Sequence, residues 1–133
     1  MFNPWLETTR QGINIYLTLL SGRAACTDGQ RIWLDARLTR IEATCSLTHE
    51  LLHIHAGHGC TQNSAVEAKI REGVARALIP LPAILSRAQS QEHPATIAED
   101  FNVTLPVLAD RMTTLTGHER AQLRAATIPH VTA

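Results

Sequence analysis

Residues 13–19, "INIYLTL", place Ile13, Ile15, Leu17 and Leu19 in alternation with Asn14, Tyr16 and Thr18. That is the period of a half-buried strand. Further on the period changes. Ile41, Cys45, Thr48 and Leu52 recur at helical spacing behind Thr39-Arg40-Ile41-Glu42, which has the form of a capping box,. The spacing predicts a helix from Thr39 to about Ile54, broken by "AGHGCTQN". Ser64-Ala65-Val66-Glu67 reads as a second capping box. It opens a helix whose apolar sector is Val66, Ile70, Val74, Ala77, Leu78 and Leu81 and which ends near Pro80. Asn3-Pro4 is a helix start, with Asn as cap and Pro in the first turn, and that helix runs to about Gln11. Asp28-Gly29, between "RAAC" and "RIWLD", is a hairpin turn. After the polar connection "AQSQEHP" two short helices are expected, about Pro94–Asn102 and Thr104–Leu115, and then a loose tail over the last dozen residues. There is no internal repeat or linker, so the 133 residues read as a single domain,.

Composition narrows the class. Aromatic residues make up 4%, so Leu, Ile, Val and Ala must build the core. The formal net charge is zero, whereas a nucleic-acid binder usually carries a basic stripe,. The longest apolar run, "ALIPLPAIL", is too short to span a bilayer and contains Pro80 and Pro82,. No membrane association is expected. The amino end is not a secretory signal, and three cysteines without a CxxC pair suit reduced thiols in a cytoplasm,.

The densest chemistry lies in "CSLTHELLHIHAGHGC", Cys45 to Cys60, with four histidines, two cysteines and a glutamate. It contains His49-Glu50-Leu51-Leu52-His53, an HExxH. Residues four apart share a helix face, so both imidazoles can reach one zinc ion at roughly 2.0–2.1 Å. Glu50 is offset from them and suits a general base toward water activated by that ion.

A catalytic zinc takes three protein ligands. The pattern HExxHxxGxxH fails, because Ala56 and Gly59 stand where Gly and His are needed. The alternatives are Glu67 and Glu72. At roughly 100° per residue Glu67 falls inside the apolar sector of its helix and Glu72 opposite it. A carboxylate facing a core needs a strong partner, and a metal is one. Against this, Glu67 could instead close the capping box on Ser64. His55, His58 and Cys60, in the turn after the helix, remain further candidates.

"RIEATCSLTHELLHIHAGHG" followed by "VEAKIREGVARALIPLPAIL" resembles the ImmA/IrrE family of zinc metallopeptidases. "SLTHELLH" and "ALIP" stand where that family has its "TLAHELGH"-like helix and "LLMP". "NPW", "IWLDARL" and "IAEDFNVTLPVLADRM" are similar as well, so the likeness runs from about Asn3 to Leu115. The chain departs from the family pattern at Ile70-Arg71 and Gly73-Val74. The resemblance implies a small zincin-like α+β domain, helix-rich with a short antiparallel sheet beside the HExxH helix. It places Glu67 as third ligand. It further implies a cytoplasmic, zinc-dependent, site-specific endopeptidase acting on a regulatory protein, such as a helix-turn-helix repressor of a phage or mobile element. "IWLD", Ile32 to Asp35, is the expected strand lining the cleft. Ile32 and Leu34 should face the core and Trp33 the other side. His55, His58 or Tyr16 could serve as an auxiliary oxyanion donor.

Two other readings compete. "TIAEDFNVTLPVLADRM" has the rhythm of a DNA-binding helix-turn-helix, but it offers chiefly Arg111 to bases or phosphates, so direct nucleic-acid binding is not expected. A metal-binding but proteolytically inactive interaction module would need a blocked cleft, since the base of HExxH is present.

Overall fold

The computed structural model describes residues 2–58 and 63–128. Asn3 caps helix α1, Pro4–Gln11, by accepting hydrogen bonds from the Trp5 and Leu6 amides at 3.0 and 3.2 Å. Gly12, at φ 68°, closes it in the left-handed conformation that glycine adopts without strain,. Three strands follow: β1, Asn14–Thr18; β2, Ala25–Thr27; and β3, Arg31–Asp35. Asp28 makes the β2–β3 turn, its Oδ1 accepting from the amides of Gln30 and Arg31.

The sheet order is β1-β3-β2, with β3 parallel to β1 and antiparallel to β2. The expected antiparallel sheet is therefore mixed. The tight Asp28-Gly29 turn dictates only the β2–β3 pairing. The connection from β1 to β2 is longer, and it lets β1 pair across β3 instead. Being central, β3 is paired on both sides and offers no edge, against the expectation that "IWLD" lines the cleft; the edge strands are β1 and β2. The facing of β3 is as expected. Ile32 and Leu34 are fully buried, and Trp33 stacks on Tyr16 on the opposite side. Of the alternating residues in "INIYLTL", Ile13 and Ile15 pack against the core, while Leu17 and Leu19 are exposed.

Helix α2, Arg40–His55, begins at the expected capping box of Thr39 and Glu42. It is buried on two sides. Leu47 and Leu51 close on Ile32 and Leu34 of the sheet. Cys45 and Leu52 join a second cluster with Ile70, Val74 and Leu78 of helix α3, Ser64–Leu78. The contact with α3 is close. A Cβ on Gly73 would lie 2.9 Å from Leu52 Cδ1, which gives a reason for glycine in a helix interior,.

Short helices complete the second core: α4, Leu81–Leu85; α5, Pro94–Asp100; α6, Leu105–Thr113; and α7, Gly117–Thr127. Asn102, at φ 56°, makes the turn from α5 to α6,. The expected loose tail is corrected as far as Thr127, because α7 is helical there. Its start carries a T-x-x-E signature, and the Thr116–Glu119 capping box forms. Glu119 also reaches two cations, Arg111 Nη2 at 2.9 Å and Arg76 Nη2 at 3.0 Å. Arg111 is 2% exposed, and its Nε donates to the Ile79 carbonyl at 2.8 Å. The residue best suited to read DNA is thus a structural cation inside the helical core. No helix among the described residues is long and apolar enough to cross a membrane.

Hydrogen bonds from Arg111, and then the Thr116 amide and Arg76, hold the Glu119 carboxyl well below its ordinary range. A depressed carboxylate stabilises the fold above its unfolded pKa of about 4.5, and that stability is lost as the pH falls,. Glu119→Gln should cost about 2–3 kcal/mol at neutral pH, since Arg111 loses its charged partner. It should also flatten the loss of stability between about pH 5 and pH 3. Urea denaturation of both proteins at several pH values checks this. A variant with the same acid-limb slope as the wild type would contradict it.

Candidate metal centre

One turn of α2 separates His49 from His53, and it brings their Nε2 atoms to 3.2 Å of each other. The carboxylate of Glu67, from the first turn of α3, meets both. Its Oε2 lies 2.9 Å from His49 Nε2 and its Oε1 2.7 Å from His53 Nε2. The helix start explains why Glu67 is available. The cap of α3 is Asn63, whose Oδ1 accepts from the amides of Ala65 and Val66 at 3.0 and 3.1 Å. Ser64 is already the first helical residue, so the expected Ser64–Glu67 capping box does not form. Asn is as good an N-cap as Ser, and the earlier position wins here.

The three groups fit a metal ion. Tetrahedral ligands at about 2.0–2.1 Å from zinc lie about 3.3 Å apart. The imidazole nitrogens match that separation, and the carboxylate oxygens are somewhat closer. Among the described residues, one atom from each of His49, His53 and Glu67 lies within 4.8 Å of the others. Two nitrogens facing each other at this distance need a proton or a cation between them or on a shared partner. Burial lowers the His49 pKa, with Glu67 opposing that and His53 reinforcing it. Neutral imidazole, the form that ligates metals, is thereby favoured. His53 is more deeply buried, and its Nδ1 lies 3.3 Å from His58 Nδ1. With His53 Nε2 given to the triad, its Nδ1 is left facing His58, an orienting contact at the long end of hydrogen-bond range,.

Glu50 is 8% exposed and sits beside the triad without joining it. Burial first, and then repulsion from Glu67, raise its carboxyl to about 7, while Arg23 acts the other way. The remaining candidates lie elsewhere. His55 is exposed and hydrogen-bonds Gln11 of α1 at 2.9 Å. Tyr16 is on the face of the sheet turned away from α2, stacked on Trp33. Glu72 pairs with Arg76 on the outer side of α3. Cys60 lies outside the described residues.

Beside the triad a cleft of about 400 Å³ opens between α2, β2, α3 and α6. His49 and Glu50 form one wall, Ala24 and Ala25 at the start of β2 another, and Val74, Val107 and Arg71 line it as well. Two of these features were missed in the sequence. The Ala24-Ala25 edge carries no chemical signature. Arg71 stands one turn after Glu67, so the same wheel that singled out Glu67 could have placed Arg71 near it.

A search of curated proteins and a search of solved structures each gave no match. The family profile of the IrrE N-terminal-like domain, a peptidase family, matches residues 9–113. That interval takes in the sheet, both helices of the metal centre and the cleft. On that match, the chain belongs to the IrrE N-terminal-like peptidase family.

Proposed function

We propose that the protein is a zinc-dependent endopeptidase of the cytoplasm that cuts a regulatory protein, a helix-turn-helix repressor being the favoured class. One observation carries the reading: His49, His53 and Glu67 converge from two helices at a cleft whose wall is Glu50. A zinc ion held by these three would supply Lewis-acid polarisation of a peptide carbonyl and a more acidic water. The chain's own contribution is then positional and protolytic. His58 orients His53 from behind. Glu50 takes the proton of the attacking water and delivers it to the leaving amine. Ala25, where β2 borders the cleft, offers backbone groups to an extended peptide, which would give affinity with little demand on sequence,. The repressor as substrate rests on the family resemblance, as does the phage or mobile-element setting.

Purified protein should carry one zinc per chain by elemental analysis, and chelation should lower its melting temperature, because the ion ties α2 to α3. Glu67→Gln should weaken zinc by more than the roughly 10–100-fold typical of losing an outer-shell partner. Glu72→Gln, an exposed helix-pair change, should shift it by no more than about twofold. His49→Ala keeping a full equivalent of zinc, or equal losses from the two glutamine variants, would overturn the ligand assignment.

Glu50→Gln removes a base and not a ligand. It should keep zinc, fold and partner binding, and slow cleavage by roughly 10²–10⁴-fold. The measurement is fragment formation when each protein is incubated with a repressor encoded next to it. Equal cutting by both would exclude Glu50 as the base. Tight binding by both with no fragments would favour an inactive interaction module.

A further inference from the structure

Tyr16 and His55 point away from the cleft, and His58 stands behind His53, so none of these faces a substrate carbonyl. A different cation does line that space. Arg71 follows Glu67 by one helical turn on α3 and shares the cleft with His49 and Glu50. Its side chain is 61% exposed. Its ion-pair partner is Asp110 of α6, 3.6 Å from Nε, beyond normal hydrogen-bond length,. The guanidinium is therefore only loosely tethered, with donors left over for a ligand. The sheet side of the site has a second arginine, Arg23, whose charge acts on Glu50. An anion entering the cleft meets Glu42, Glu50 and Asp110 as opposing charges.

We propose that Arg71 is the anion-binding group of this cleft, receiving the oxygen on which negative charge develops as the substrate carbonyl is attacked. The inference rests on the metallopeptidase reading and adds to it a catalytic residue at a position where the chain departs from its family's pattern. The chemistry suits an arginine. Its charge does not titrate at working pH, and its planar fork can give two parallel N–H donors to one anionic group. Donors held where charge develops stabilise the transition state more than the ground state. Asp110 then acts as the anchor from which Arg71 is released when a stronger anion arrives.

The test needs no substrate. Full-length protein is loaded with cobalt(II), and azide is titrated in while the visible absorption of the metal is followed, at one pH and one ionic strength. Wild type should bind azide, and Arg71→Gln should bind it about tenfold more weakly, the scale of one charge-assisted hydrogen bond. Arg71→Lys should fall between the two. Asp110→Asn, which removes the competing acid but keeps the guanidinium, should bind azide more tightly than wild type. Arg23→Gln reports any diffuse effect of positive charge and should change affinity less than Arg71→Gln. Azide affinity unchanged in Arg71→Gln, or lowered equally by Arg23→Gln, would overturn the proposal. So would loss of cobalt from Arg71→Gln, since Arg71 would then help to hold the ion. Wild-type protein that takes up no cobalt would instead sink the metal reading on which this inference stands.

Discussion

Helix α2 is packed on two of its sides, and the site follows from that constraint. Leu47 and Leu51 are buried against the sheet, and Cys45 and Leu52 against α3. At roughly 100° per residue these two pairs lie about 130° apart on the helix. The wider arc between them carries His49, Glu50 and His53, and it borders the cleft where α3 and the sheet diverge. The cleft is the gap left between the two cores, and its polar groups are those that neither core could accept.

The position of α3 is the second half of the same constraint. Close approach at Gly73 and Leu52 sets how near α3 comes to α2. The Asn63 cap sets where its first turn begins, and so where Glu67 points. Farther along, Arg76 bonds the Thr114 carbonyl at 2.6 Å and Glu119, tying the end of α3 to α7. Arg111 fastens α6 to the chain just beyond α3. These charges are expensive to bury unless paired. Here every buried side-chain polar atom among the described residues has a partner. The helical half of the molecule, which contributes Glu67 to the candidate site, serves to hold α3 in register with α2.

The sequence determined the parts whose causes are local. The capping box at Thr39 and the HExxH spacing made α2 and its two imidazoles legible, because period and cap act within a few residues. The Asp28-Gly29 turn did the same for β2 and β3. The wheel of residues 64–81 set Glu67 in the apolar sector, and it does meet His49 and His53 across the interface. Tertiary structure decided what depends on partners distant in the chain. The place of β1 beside β3, which made β3 central, was settled by competition for one strand and not by any turn. Leu17 and Leu19 alternate correctly yet stay exposed, because no layer covers that end of β1. The second buried face of α2 was masked by the first, since a helix packed on both sides loses the one-sided pattern that sequence reading relies on. Arg111 looked available on its own helix and became a buried tether only once α7 brought Glu119 to it. Burial and pairing between distant segments are properties of the packed molecule, and no local pattern encodes them.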